Sequence, residues 1–188
     1  MSVKTLIATS VVAIALATTA MADSNFTGAY VGGNFGHGTG EVTSADNVPA
    51  LSGVVGGIHG GYQHQLGMFG VGAEGSFNLG NAENKTVTAQ GKFTLKRKHA
   101  FGVAARLGVA INSWMAYTKL GWENAQFAIK TIDGTAKNQY NAFVAGLGFE
   151  TVVANNIMVG GEWTTSFYKK DKSKLRISDF KVRLGYKF

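Results

Sequence analysis

The stretch that decides the fold is KVRLGYKF, Lys181 to Phe188, with which the sequence stops. In an extended strand Val182, Leu184, Tyr186 and Phe188 fall on one side, and Lys181, Arg183, Gly185 and Lys187 on the other. A soluble domain more often ends in a frayed polar tail. A last strand with an oily face and a cationic face is expected to close a cylinder, with lipid outside and a packed polar space inside.

The same alternation recurs upstream. In FGVGAEGSFNLG, Phe69, Val71, Ala73, Phe77 and Leu79 oppose Gly70, Gly72, Glu74, Ser76 and Asn78. In FGVAARLGVAI, Phe101, Val103, Leu107, Val109 and Ile111 oppose Gly102, Ala104, Arg106 and Gly108. From Trp114 onward, Trp114, Ala116, Thr118, Leu120 and Trp122 oppose Met115, Tyr117, Lys119, Gly121 and Glu123. Eight segments read this way: Phe26–Gly38, Leu51–Gln65, Phe69–Leu79, Lys98–Ile111, Trp114–Asn124, Tyr140–Val153, Ile157–Lys169 and Arg176–Phe188. Their connections alternate. HGTGEVTSADNVPA, the stretch from Gly80 to Arg97, and AQFAIKTIDGTAKNQ are long, and KKDKSK is moderate; LGM, NS and ANN are short. Short turns at one end and longer loops at the other are the pattern of bacterial outer-membrane barrels. The fold expected is all-β: an eight-stranded antiparallel up-and-down transmembrane barrel, with periplasmic termini, four outer loops and three short periplasmic turns.

Composition agrees. Lys4, the apolar run LIATSVVAIALA (Leu6–Ala17) and Ala20-Met21-Ala22 read as a secretory leader over residues 1–22, cleaved before Asp23. The barrel domain is then 23–188. Cysteine is absent, which excludes disulfides and thiolate chemistry, and the single proline is Pro49, so almost nothing forbids strand pairing. The net charge is +7; without Lys4 it is +6. In an exported chain this basic balance points to anionic lipid and lipopolysaccharide phosphates, not to nucleic acid. No apolar run after the leader reaches the length of a transmembrane helix, so any crossing must be made by strands.

The polar faces carry Glu74, Arg106, Lys119, Glu123, Glu150, Glu162, Lys181 and Arg183, four acids and four bases set among small residues. Charge in a narrow interior must be paired, because burying it alone is expensive. Counted from the short-turn end, Glu74, Arg106, Lys119, Glu150, Glu162 and Arg183 lie roughly 13–17 Å along their strands. They are expected to form one layer with contacts Glu74–Arg106, Lys119–Glu150 and Glu162–Arg183, and with Lys181 and Glu123 higher. The aromatic residues suggest two interfacial girdles. Tyr62, Phe69, Trp114 and Tyr186 would form one, and Phe35, Trp122, Phe143, Trp163 and Phe167 the other.

FTGAYVGGNFGHG (Phe26–Gly38) resembles the opening strand of the small outer-membrane β-barrel surface proteins of α-proteobacteria, the "porin family". AYTKLGW (Ala116–Trp122), VAGLGFETVVANNIMVGGEW (Val144–Trp163) and VRLGYKF (Val182–Phe188) are similar to its later strands. The resemblance implies an eight-stranded outer-membrane barrel. It also implies that Leu184, Tyr186 and Phe188 form the signal read by the barrel-assembly machinery. The chain departs from the family at GGEW, with a glycine where an interior lysine is common, and in a short fourth outer loop.

Chemistry beyond this is sparse. His59 shares the inner face, His64 has the opposite parity, and His37 and His99 lie towards the outer rim. No local His-x-Ser pattern accompanies them. No cofactor, metal site or catalytic residue is expected. Lys96, Arg97, Lys98, Lys169, Lys170, Lys172, Lys174 and Arg176 crowd the loops as a basic rim suited to lipopolysaccharide phosphates. A host or surface ligand could meet the outer loops. The reading favoured is a non-enzymatic barrel with a plugged interior that serves envelope integrity and surface interaction. A narrow channel is the first alternative. A lipid-modifying enzyme or haem-binding surface protein is the second.

Overall fold

Two residues show how the hairpins close. Gly67 and Asn112 have φ of 61° and 54°. Each opens a two-residue connection, between the pairs Leu66–Phe69 and Ile111–Trp114. Tight hairpins need a positive φ at this position, which glycine and asparagine adopt most readily.

A computed structural model of the chain describes residues 26–43, 51–80, 83–88, 91–131, 134–153, 156–170 and 173–188. Within these, side chains are described except at 41–43, 51, 83–88, 91–97, 127–131, 134–138, 169–170 and 173–175. The strands are β1 (Gly28–Thr43), β2 (Leu51–Leu66), β3 (Phe69–Gly80), β4 (Glu83–Thr88), β5 (Gly91–Ile111), β6 (Trp114–Thr131), β7 (Gly134–Val153), β8 (Ile157–Lys170) and β9 (Ser173–Lys187). All pairings are antiparallel: β1–β2, β2–β3, β3–β5, β5–β6, β6–β7, β7–β8 and β8–β9 follow the chain, and β9 also pairs with β1 from Tyr30–Lys187 to Thr43–Lys174. The result is a closed eight-stranded all-antiparallel barrel. β4 is not a ninth stave; it continues the line of β3 and pairs with β5 from Glu83–Lys96 to Thr88–Gly91.

Closure leaves no open edge in the wall, which is what strands in hydrocarbon require. Leu184 and Val103 are 59% and 53% exposed, whereas Arg106 and Glu162 are 0% and 2% exposed. The usual arrangement of a soluble protein is therefore inverted, and so continuous an apolar exterior fits only a lipid solvent. On β5 the outward band runs from Ile111 to Phe101. That is about 33 Å along a strand, or about 25 Å along the membrane normal at ordinary tilt. Polar pairs take over beyond it. Asn124 Nδ2 donates to Asn141 Oδ1 at 2.7 Å, one outward step past Trp122 and Phe143. Within the band, between Trp163 and Phe167 on β8, the hydroxyls of Thr165 and Ser178 satisfy each other at 3.1 Å, and Thr165 is buried.

Three expectations need correction. The strands do not end at Leu79 and Asn124: the described parts of the long connections Gly80–Arg97 and Ala125–Gln139 are paired as strand. The β3–β4–β5 and β6–β7 ladders continue through them, the latter to Thr131–Gly134, because Thr, Val, Phe and Ile recur there and favour pairing. The first strand does not begin at Phe26. Gly28 takes a φ of 141°, and the chain turns inward before it. The third correction concerns an ion pair in the lumen.

Candidate functional site

The lumen is occupied at three levels. At the short-turn end Phe26 is buried against Ala110, Met115 and Tyr117, with Val152 beside them. Its amide donates to Gln65 Oε1 at 3.2 Å, and the Gln65 amide donates to Thr27 Oγ1 at 2.9 Å. A Cβ on Gly28 would lie 2.6 Å from the Phe188 carbonyl oxygen, so only glycine permits this inward turn.

The middle level is an ion lattice. Glu74 on β3 is one hub. It accepts Lys119 Nζ at 2.7 Å, the Tyr30 hydroxyl at 2.9 Å and the Arg183 guanidinium. Glu162 on β8 is the other. It accepts Lys119 Nζ at 3.0 Å, the Tyr117 hydroxyl at 3.0 Å and Arg183, and Lys181 Nζ stands 3.4 Å away. Arg106 lies 2.8 Å from Glu150 and 3.6 Å from Glu74, and donates to the Tyr30 hydroxyl at 2.8 Å. Its guanidinium carbon is 3.9 Å from the Tyr117 ring centroid and 5.3 Å from that of Tyr30. Two aromatic faces thus flank a cation stripped of water, where such contacts are strongest.

The eight charged residues singled out from sequence are all buried. Glu74–Arg106 and Glu162–Arg183 are in contact. Lys119–Glu150 is not the pairing formed. Lys119 sits opposite Gly146, and Glu150 is four residues farther towards the turn end, about 13 Å along β7. Lys119 reaches across the lumen to β3 and β8, and Glu150 takes Arg106. Glu123 lies higher and accepts the Tyr168 hydroxyl. Tyr30, His59, Gln63 and Asp179 also line the interior. Parity alone could have found Tyr30 and Asp179, since Tyr30 has the parity opposite to outward Phe35 on β1, and Asp179 shares that of Lys181 and Arg183 on β9.

At the loop end Tyr168 and Ile177 pack with Ala100, Ala125 and Ala142, with Tyr140 against them. Apolar side chains thus stand at both ends of the lattice.

The rim is only partly described. Lys98 and Arg176 are exposed, and Arg176 stands over the Phe167 ring at 5.8 Å. The side chains of Lys96, Arg97, Lys169, Lys170 and Lys174 lie outside the described residues, as does Lys172 altogether. So does the proposed leader, residues 1–22. Leu184, Tyr186 and Phe188 face outward, with Tyr186 edge-on to Phe188 at 5.2 Å. The histidines diverge: His59 is inside, His37 bonds Ser52 at 2.9 Å, and His99 stacks on Phe77. Among the described residues, no three His, Asp or Glu side chains converge as a metal site.

The architecture is an oily wall around buried ions, and the sequence matches the outer membrane protein beta-barrel domain over residues 8–188. The chain belongs to that family. It is an integral outer-membrane β-barrel, and its fold is similar to those of several solved outer-membrane surface barrels. Neisserial surface protein A superposes with a TM-score of 0.63 at 13% identity, covering 88% of this chain and 98% of that one. OprG of Pseudomonas aeruginosa gives 0.55 at 13% identity, over 88% and 99%. Ail of Yersinia pestis, solved with the heparin analogue sucrose octasulfate, gives 0.52 at 13% identity, over 85% and 99%. At such identities the likeness is one of fold. No curated protein matches the chain.

Proposed function

We propose that this outer-membrane barrel is a non-enzymatic surface protein. It strengthens the envelope through its wall and meets the exterior through its loop end. The observation that carries the reading is the filled lumen: ions paired across the bore, with Phe26 packed at one end and Tyr168 at the other. Eight strands leave an interior only wide enough for side chains, and here side chains take it. A solute would have to break the lattice to pass.

In this reading residues 1–22 are removed on export. Both termini and the short turns face the periplasm. Leu184, Tyr186 and Phe188 guide assembly, as the resemblance to the α-proteobacterial surface barrels implies. The basic rim around Lys96–Lys98 and Lys169–Arg176 meets lipopolysaccharide phosphates. A sulfated or phosphorylated surface ligand at the same rim is the second reading; the basic sequence around KKDKSK and the sulfated ligand held by Ail motivate it.

Planar-bilayer recording of the purified barrel tests the principal reading. Absence of steady conductance steps is expected, and large steady steps would overturn it. Protease shaving of intact cells tests the orientation: cleavage is expected near Asp133 and Asp171, and at neither if the loop end faces inward.

A further inference from the structure

Past the loop end of the apolar band the sheet changes its sense. On β6 the buried Ala125 marks the lumen side. Alternation then places Phe127 and Ile129 on that inner face, and Ala128 and Lys130 on the outer one. On β7 Tyr140, Asn138 and Ala136 stand opposite Ala125, Phe127 and Ile129 and share their face, whereas Lys137 stands opposite Ala128.

An unbroken alternation on β5 would spoil this arrangement. Counted from the buried Ala100, it would put Lys98, Lys96 and Thr94 inward and Leu95 and Phe93 outward. The register shift between Arg97 and His99 prevents that. Lys98 is the extra residue, exposed at a β-bulge. Beyond it Leu95 stands opposite Ile129, and Lys96 opposite Ala128. Phe93 and Leu95 therefore share the inner face with Phe127 and Ile129, and Lys92, Lys96, Lys130 and Lys137 share the outer one. Within the band the apolar positions are outside; past the bulge they are inside.

The opposite side of the rim follows the same rule. Val42 on β1 and Tyr168 on β8 both stand opposite Leu175 on β9, which alternates with the buried Ile177. Both inner faces rise from one cluster. Ala100, Ala125, Ala142, Tyr168 and Ile177 pack together across the bore, with Tyr140 against them. Phe127 and Ile129 are the next inner positions on β6, and Leu175 is the next on β9. Ile129 lies about 13 Å along the strand from Ala125. The outer positions at this height are lysines, so the surrounding solvent is water, and an apolar sheet face left open to it is costly. We infer that the strand extensions close over the lumen as a second apolar core, outside the membrane. It sets Phe93, Leu95, Phe127 and Ile129 against Val42 and Leu175, seated on the Tyr168–Ile177 cluster. The loop end is then a folded cap with the polarity of a soluble protein, not a ring of loops around an open mouth. The bulge at Lys98 lets β5 make the change of sense.

Cysteine labelling of the barrel in lipid nanodiscs tests the inference. The chain has no cysteine of its own, so each single variant reports one position. Nanodiscs leave both ends of the barrel in water, so the outcome does not depend on which end faces the exterior. Leu95→Cys, Phe127→Cys and Ile129→Cys are expected to react with a membrane-impermeant maleimide about ten-fold more slowly than Lys96→Cys, Ala128→Cys and Lys130→Cys, because labelling of a packed position waits on local opening. Equal rates on the two faces would overturn the inference, since they would mean a water-filled mouth. Trypsin gives a second measurement. Phe127→Ser should speed cleavage after Lys130 and Lys137, and Ala128→Ser should leave it at the native rate. Equal cleavage of the two variants would show that the inner face holds nothing together.

Discussion

Arg106 and Lys119 are directly opposite each other on β5 and β6, two cations side by side, yet their charged ends part company. Arg106 turns to Glu150 beneath the Tyr117 ring, and Lys119 turns to Glu74 and Glu162. Like charges directly opposite on a sheet are destabilising. The divergence relieves this, and it ties β5 and β6 to β3, β7 and β8.

Removing one member of this lattice strands its partners. Arg106→Met leaves the Glu150 carboxylate buried without its cation, and the expected cost is about 3–5 kcal/mol. Urea unfolding in lipid vesicles measures it. The double variant Arg106→Met with Glu150→Gln should recover part of that loss. An Arg106→Met barrel of native stability would mean the contact is idle.

Glycines on the two faces should respond differently. A Cβ on Gly148 would collide with the Tyr117 ring, whereas a Cβ on the outward Gly75 would meet nothing nearer than the Gly60 carbonyl oxygen at 3.9 Å. Gly148→Ala is expected to destabilise by about 1–3 kcal/mol through overpacking. Gly75→Ala should be nearly neutral. The same unfolding assay separates them, and equal effects would contradict the assignment of faces.

Phe26 packs the turn end. Phe26→Ala is expected to cost about 3 kcal/mol, in the range of buried aromatic truncations. It should also speed hydrogen exchange at the amides of Met115 and Tyr117, read by mass spectrometry or NMR. Unchanged protection there would show that Phe26 does not seal that end.

Charge placed on the oily face should be penalised by depth. Leu107→Arg sits near the middle of the outward band of β5, and a cost of about 2–4 kcal/mol is expected. His99→Arg, past the end of the band, should cost about 0–1 kcal/mol. Comparable penalties at the two sites would put the hydrocarbon boundary elsewhere.

Alternation made the wall legible from sequence. It assigned Leu184 and Val103 outward, and Arg106 and Glu162 inward, without any knowledge of pairing. The lattice was less legible. Lys119 reaches Glu74 and Glu162, each two staves away, and such cross-lumen contacts depend on barrel stagger and side-chain reach, which no local pattern encodes. Phe26 was misread as strand because its turn depends on Gly28 meeting the Phe188 carbonyl, a contact between the two ends of the barrel wall. The ladder through Glu83–Arg97 was missed because charged residues interrupt its apolar period.

The central claim is that oily side chains face lipid and the ions face inward, and the three tryptophans test it directly. Trp114, Trp122 and Trp163 are all of the chain's tryptophans, and all three are exposed on the outer face. Their fluorescence should be measured in vesicles of brominated lipid and, separately, with aqueous iodide. Strong quenching by bromine on the acyl chains, with little effect of iodide, is the result predicted. Emission untouched by brominated chains but quenched by iodide would contradict the account.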